Sequence, residues 1–233
     1  MIKYKIVTNY MPKSMRRDNM EKIIEFSRAQ KKKRLKKDLY ITIIWELKNN
    51  KGKQYSFSEI TEYANRILNA GFQWTHQETY TRILTVVNKF NISTYTSEIQ
   101  DSKMPLGMIG VNGITTMRLG CDKAIITDRR IDENLQLFIT AYLLGLYLFD
   151  YLPSGKEEYY HIERMGNYVD NIMEENAYRF AMDIMMPRQR FLEQYNYAKK
   201  VNKSPYYIQN YLSDCFRVPK IVVQKRIIEI MKR

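Results

Sequence analysis

The sequence predicts an α+β fold, mostly helical, with a small antiparallel three-stranded sheet and a buried central helix. Three observations lead there. Residues Leu135–Tyr151 (LQLFITAYLLGLYLFDY) are apolar on nearly every face and contain no proline, the pattern of a helix enclosed all round. Three short β-rich stretches bounded by Asn, Gly and Asp precede that run, and apolar residues at helical spacing recur on both sides of it. Finally, 45% apolar and 13% aromatic residues supply a substantial core, which excludes a disordered chain. The 233 residues suit a core domain with a smaller appended unit: a basic helical extension at 1–76, and a core at 77–233 that closes with a helical pair, 205–233.

Taken in order, Ile2–Thr8 reads as a short strand, and helical spacing starts after Asp18 with Met20, Ile23, Ile24 and Ser27. A run with seven basic residues in ten follows at 28–37. Leu39–Lys48 is amphipathic through Leu39, Ile43, Ile44 and Leu47, and Asn49–Lys53 ends it as a turn. Ser58 reads as the N-cap of a helix carrying Ile60, Tyr63, Ala64, Ile67 and Leu68, which Gly71 terminates. A third helix over Gln77–Phe90 is expected to bury Tyr80, Ile83, Leu84 and Val87. These three helices are read as packing on the core in preference to a winged-helix-like module. Asn91–Thr96, Leu106–Val111 and Lys123–Thr127 read as strands, with a hairpin at Asn112-Gly113. Asp132 or Asn134 caps the buried helix, which at Leu135–Tyr151 is too short for a bilayer, where about 20 residues are needed. A loop leads to a helix from about Tyr168. In the closing pair, Ile208, Tyr211, Leu212 and Cys215 form one face and Val222, Val223, Ile227 and Ile230 another, around a turn at Phe216–Pro219.

Charge is unevenly placed. The net +13 divides into +11 over residues 1–53, −6 over 54–187 and +8 over 188–233. Basic ends flanking an acidic middle favour an anionic partner, with nucleic acid first, because such ends displace counterions from phosphate. The candidate contacts are Lys31, Lys32, Lys33, Arg34, Lys36 and Lys37, with Lys220, Lys225 and Arg226 on the last helix. Both groups read equally as solvated helix faces. Cys121 and Cys215 lack metal-ligand spacing and read as free thiols, and the start of the chain has no apolar signal segment. A reducing, cytoplasmic setting without a membrane partner is expected.

Two further stretches carry a resemblance. Phe138–Tyr147 (FITAYLLGLY) resembles the active-site helix of the ImmA/IrrE metallopeptidases, which bears H-E-x-G-H. Aligned on Gly145, Tyr142 and Leu146 take the places of the two histidines and Leu143 that of the glutamate. Met173–Pro187 (MEENAYRFAMDIMMP) is similar to the family's E-A-N-x-F-A-A-x-L-L-M-P, and alignment on Phe180, Ala181 and Pro187 puts Asn176 at the third metal ligand. The closing segment is similar to the family's helix-turn-helix-like end, with Pro219 where Ser is usual. The resemblance covers about 77–233 and implies a zincin-like core.

It also implies what the chain lacks. A catalytic zinc needs three ligands and an open position for water. Two histidines at i and i+4 share a helix face, and the intervening glutamate takes the proton of a water whose pKa zinc lowers from near 15.7 to about 7. Leucine can do neither, and neither His76 nor His161 has an i+4 partner. The expectation is therefore a pseudoenzyme with no catalytic residue, no metal and no cofactor. It would act by binding a helix-turn-helix repressor, double-stranded DNA or both in the regulation of a bacterial mobile element or phage. A site rebuilt from Glu174, Glu175 and His161 is the remaining hydrolase reading.

Overall fold

The structure is a computed structural model, and it describes residues 39–71, 80–100, 105–164 and 172–231. The expected N-terminal strand, the helix after Asp18 and the basic run lie outside the described residues. Residues 39–49 are helical (α1), burying Tyr40, Ile43 and Leu47 and leaving Trp45 65% exposed. Helix α2, Phe57–Gly71, starts two residues earlier than read, because Ser56 and not Ser58 is its cap. Glu59 N–H donates to Ser56 Oγ at 3.4 Å and Ser56 N–H to Glu59 Oε2 at 2.9 Å, a reciprocal capping box. Helix α3 covers only Ile83–Lys89 of the span expected, and it buries Val86 where Leu84 was expected.

The sheet departs from the expected meander. Strands β1 (Ser93–Ser97), β2 (Pro105–Val111), β3 (Lys123–Asp128) and β4 (Tyr159–Arg164) lie in the order β1-β3-β2-β4. β1 runs parallel to β3, whereas β2 is antiparallel to both β3 and β4, so the sheet is mixed and four-stranded. Asn112-Gly113 does not form a two-residue hairpin. Such a turn needs positive φ at both residues; Asn112 has φ 52° but Gly113 is extended at −100°. A short helix, α4 (Ile114–Arg118), is inserted instead, and the loop closes with Asn112 N–H donating to Asp122 O at 2.8 Å. Ile109, Val111 and Ile125 belong to the main core, and Ile99, Met108 and Ile126 form a small cluster apart from it.

Helix α5, Glu133–Leu146, is capped by Asp132, whose carboxylate accepts from Leu135 N–H at 3.0 Å. It runs through a π-turn, Tyr147–Tyr151, into a last turn, α6 (Leu152–Ser154), ended by left-handed Gly155. The helical segment Glu133–Ser154 is thus 22 residues, longer than read and long enough by length and composition to cross a membrane. Its place in the fold decides otherwise, because 72% of its apolar window is buried by the rest of the chain. Helix α7, Ile172–Met185, packs along it, and α8 (Arg188–Val201), α9 (Pro205–Phe216) and α10 (Lys220–Met231) follow. Helices α1 and α2 share one hydrophobic cluster with α5 and α7.

Candidate functional site

Where α5 crosses α7, Gly145 lets the two backbones meet. A Cβ at this position would lie 2.8 Å from Ala177 Cα and 2.9 Å from its carbonyl oxygen. The four positions at which the resemblance puts metal chemistry lie on the two helices that meet there. Tyr142, Leu143 and Leu146 on α5 are 6%, 0% and 2% exposed, and Asn176, next to Ala177 on α7, is 4% exposed. Leu143 faces the sheet, since a Cβ on Gly107 of β2 would come within 3.1 Å of its Cδ1. Two leucine side chains offer no lone pair, and both are enclosed among apolar neighbours, so these residues do not fit a zinc ion. Among the described residues no group of three or more His, Cys, Asp or Glu could hold a metal.

The residues of the rebuilt site are not brought together in the described part of the structure. Glu175 is exposed, the Glu174 side chain lies outside the described residues, and His76 does too. His161 instead pairs with Glu163 on the same strand, Nε2 to Oε2 at 3.4 Å. His161 stands opposite Ile109 and Glu163 opposite Gly107, which places the pair on the sheet face that looks onto α5.

The candidate nucleic-acid contacts divide three ways. Lys31, Lys32, Lys33, Arg34, Lys36 and Lys37 lie outside the described residues. Lys220 is exposed at the start of α10, its Nζ 5.7 Å from the Tyr206 ring centre, and Lys225 is partly buried with its Nζ 4.8 Å from that of Tyr178. Arg226 corrects the expectation: it is 1% exposed and cannot touch a nucleic acid. Its Nη2 pairs with Asp183 Oδ1 at 2.9 Å and donates to Met186 O at 2.8 Å, while Nη1 pairs with Glu229 Oε2 at 2.9 Å. A solvent-face reading fails here because the arginine completes a buried ionic cluster.

That cluster escaped sequence reasoning. Asp183 also accepts from Arg179 Nε at 2.9 Å and from the Thr61 hydroxyl at 2.6 Å, so its carboxylate joins α2, α7 and α10. Arg179 reaches on to Glu229. The i, i+4 spacing of Arg179 and Asp183 was the available signal.

The model of a family described as the IrrE N-terminal-like domain (Peptidase_M78) matches residues 98–227. No curated protein matches the chain. The matched segment contains α5, α7 and their crossing, while α1, α2 and α3 precede it.

Proposed function

The chain belongs to the IrrE N-terminal-like family, and from that premise we propose that it is a pseudoenzyme which keeps the family's scaffold and acts by binding. One observation supports this reading: Leu143 and Leu146, to which the resemblance assigns the positions of the general base and of a metal-binding histidine, are fully enclosed. Without a bound metal, water keeps a pKa near 15.7 and is no nucleophile at neutral pH. Replacing buried imidazoles and a carboxylate with apolar groups also removes polar atoms that would each need a partner, so the exchange favours stability over chemistry. The binding target in this reading is the helix-turn-helix repressor that active relatives cut, in control of a phage or conjugative element. The test is to mix purified protein with a repressor encoded beside its gene and follow both by gel filtration and intact mass. A complex with both chains whole is expected; a cleaved repressor would overturn the proposal, and so would failure of the two chains to associate.

A second reading, binding to double-stranded DNA, is favoured by the charge on the C-terminal helices. Lys199, Lys200, Lys203 and Lys220 are all exposed there, in a segment of net charge +8. Fluorescence anisotropy with duplex DNA at two salt concentrations tests it. Binding that weakens steeply with salt supports phosphate contacts, and no binding at low salt removes them.

A further inference from the structure

A hollow of about 180 Å³ lies where the end of α1 meets the turn after α6, lined by Lys48, Lys51, Tyr151, Leu152, Gly155 and Lys156. Three lysines from two distant stretches of chain line it, and no acidic side chain does. Among the described residues none of the three lysines is ion-paired. The nearest carboxylates in sequence stand outside the lining: Asp150 accepts from the Tyr159 hydroxyl at 2.6 Å, and Glu157 and Glu158 are exposed.

The backbone at the turn admits one of these lysines closely. Gly155 sits at φ 68°, and a Cβ there would come within 3.4 Å of Lys51 Cε and Nζ, so Lys51 lies directly against the glycine. A fourth cation adds to the field. Lys123 Nζ donates to Phe90 O at 2.7 Å and lies 5.4 Å from the Tyr147 ring centre; that ring stacks on Tyr151 of the lining at 5.5 Å. Burial, and then the charge of Lys48, push the Lys123 pKa down, while the neighbouring Asp122 carboxylate opposes the shift. Like charges gathered at one hollow repel unless an anion is seated among them.

We propose that this hollow is a binding site for a phosphate group. Its volume suits a single tetrahedral oxyanion with a small attached group. Lysine ammoniums bind phosphate as point charges, and Tyr151 contributes to the wall of the hollow. Lys48 and Lys51 belong to the segment ahead of the family match and Lys156 to the matched domain, so occupancy would link the two. The inference is independent of whether the chain retains catalysis.

Calorimetric titration of the full chain with inorganic phosphate, at ionic strength held constant with chloride, is the test. Saturable binding is expected, weakened by about tenfold or more in K51Q/K156Q, since a charge-assisted contact to a charged group is worth about that factor and these two lysines are exposed. Both lysines are exposed, and an unchanged melting temperature of the variant without ligand verifies its fold. Absence of saturable binding up to about 10 mM, where affinity would be negligible, overturns the proposal. Equal affinity in the double variant also overturns it. Two further arms identify the source of the phosphate. Competition by adenosine 5′-monophosphate at the same lysines assigns a small phosphate ester; displacement of short duplex DNA by phosphate, weakened by the same substitutions, assigns a nucleic-acid backbone.

Discussion

Two residues set the spacing at the centre of the molecule. Gly145 allows α5 to rest on the backbone of Ala177, and the atoms that a Cβ would strike are main-chain atoms that no rotamer change can move. Gly145→Ala should therefore force the helices apart and destabilise the fold by about 3 kcal/mol in urea unfolding. Because the clash is with backbone, adding Ala177→Gly should not restore stability; full rescue would show that the side chain at 177 set the contact. Asp183 is the second such residue. Its two oxygens satisfy Arg226, Arg179 and Thr61 in a region closed to water. Asp183→Ala leaves two buried guanidiniums sharing Glu229, and a loss of about 3–5 kcal/mol is expected from chemical denaturation. A loss under about 1 kcal/mol would mean that water reaches the cluster and screens it.

Among the elements, the end of β3 ties the sheet to its flanking loop through one carboxylate. Asp128 accepts from Arg130 Nε at 2.8 Å, Arg130 Nη2 at 2.7 Å and Arg130 N–H at 2.9 Å, and from Ile99 N–H at 3.0 Å. The Arg130 side chain first, and then the two backbone donors, hold its carboxyl well below the usual carboxylate range. A folded-state pKa below the unfolded value of about 3.9 contributes stability above that value and loses it as pH falls through the folded one. The stability difference between the protein and Asp128→Asn should thus be level from pH 8 to 5 and shrink below about pH 4. A difference that widens in acid would contradict the assignment. The same sheet shows why some elements were legible in the sequence and others were not. β2 and β3 are central; β2 is apolar throughout and β3 is built on Ala124, Ile125 and Ile126, so composition marked them. β4 carries His161 and Glu163 in inward positions, which breaks the apolar-polar alternation by which a half-buried strand is recognised. The parallel pairing of β1 with β3 is a non-local choice that no local pattern encodes. Asn112-Gly113 promised a hairpin by residue type, yet the chain turned elsewhere once α4 was accommodated.

For the molecule as a whole, the question is whether the α5–α7 crossing is a metal site refilled with apolar side chains or a core that never had room for one. The alignment that assigns the ligand positions rests on Gly145 and the Phe180–Pro187 stretch, whereas nothing in the sequence marked the ionic cluster behind α7, since Arg226 looks like a surface residue in its own helix. If the crossing is a refilled site, putting donors back should make stability depend on zinc. The variant Tyr142→His, Leu146→His, Asn176→Glu leaves Leu143 against Gly107 and so does not restore the general base. Two imidazoles and a carboxylate buried there without metal should destabilise the fold by several kcal/mol. A zinc ion that binds only the folded state would offset that loss, since ligand at about a hundred times its Kd adds about 2.7 kcal/mol. The expected result is a melting temperature lowered in chelator and raised again by stoichiometric zinc, with no response in the unsubstituted protein. A variant that folds but shows no zinc dependence would mean that these three positions do not converge. The alignment on Gly145 would then describe only helix packing, and the pseudoenzyme reading would lose its structural basis.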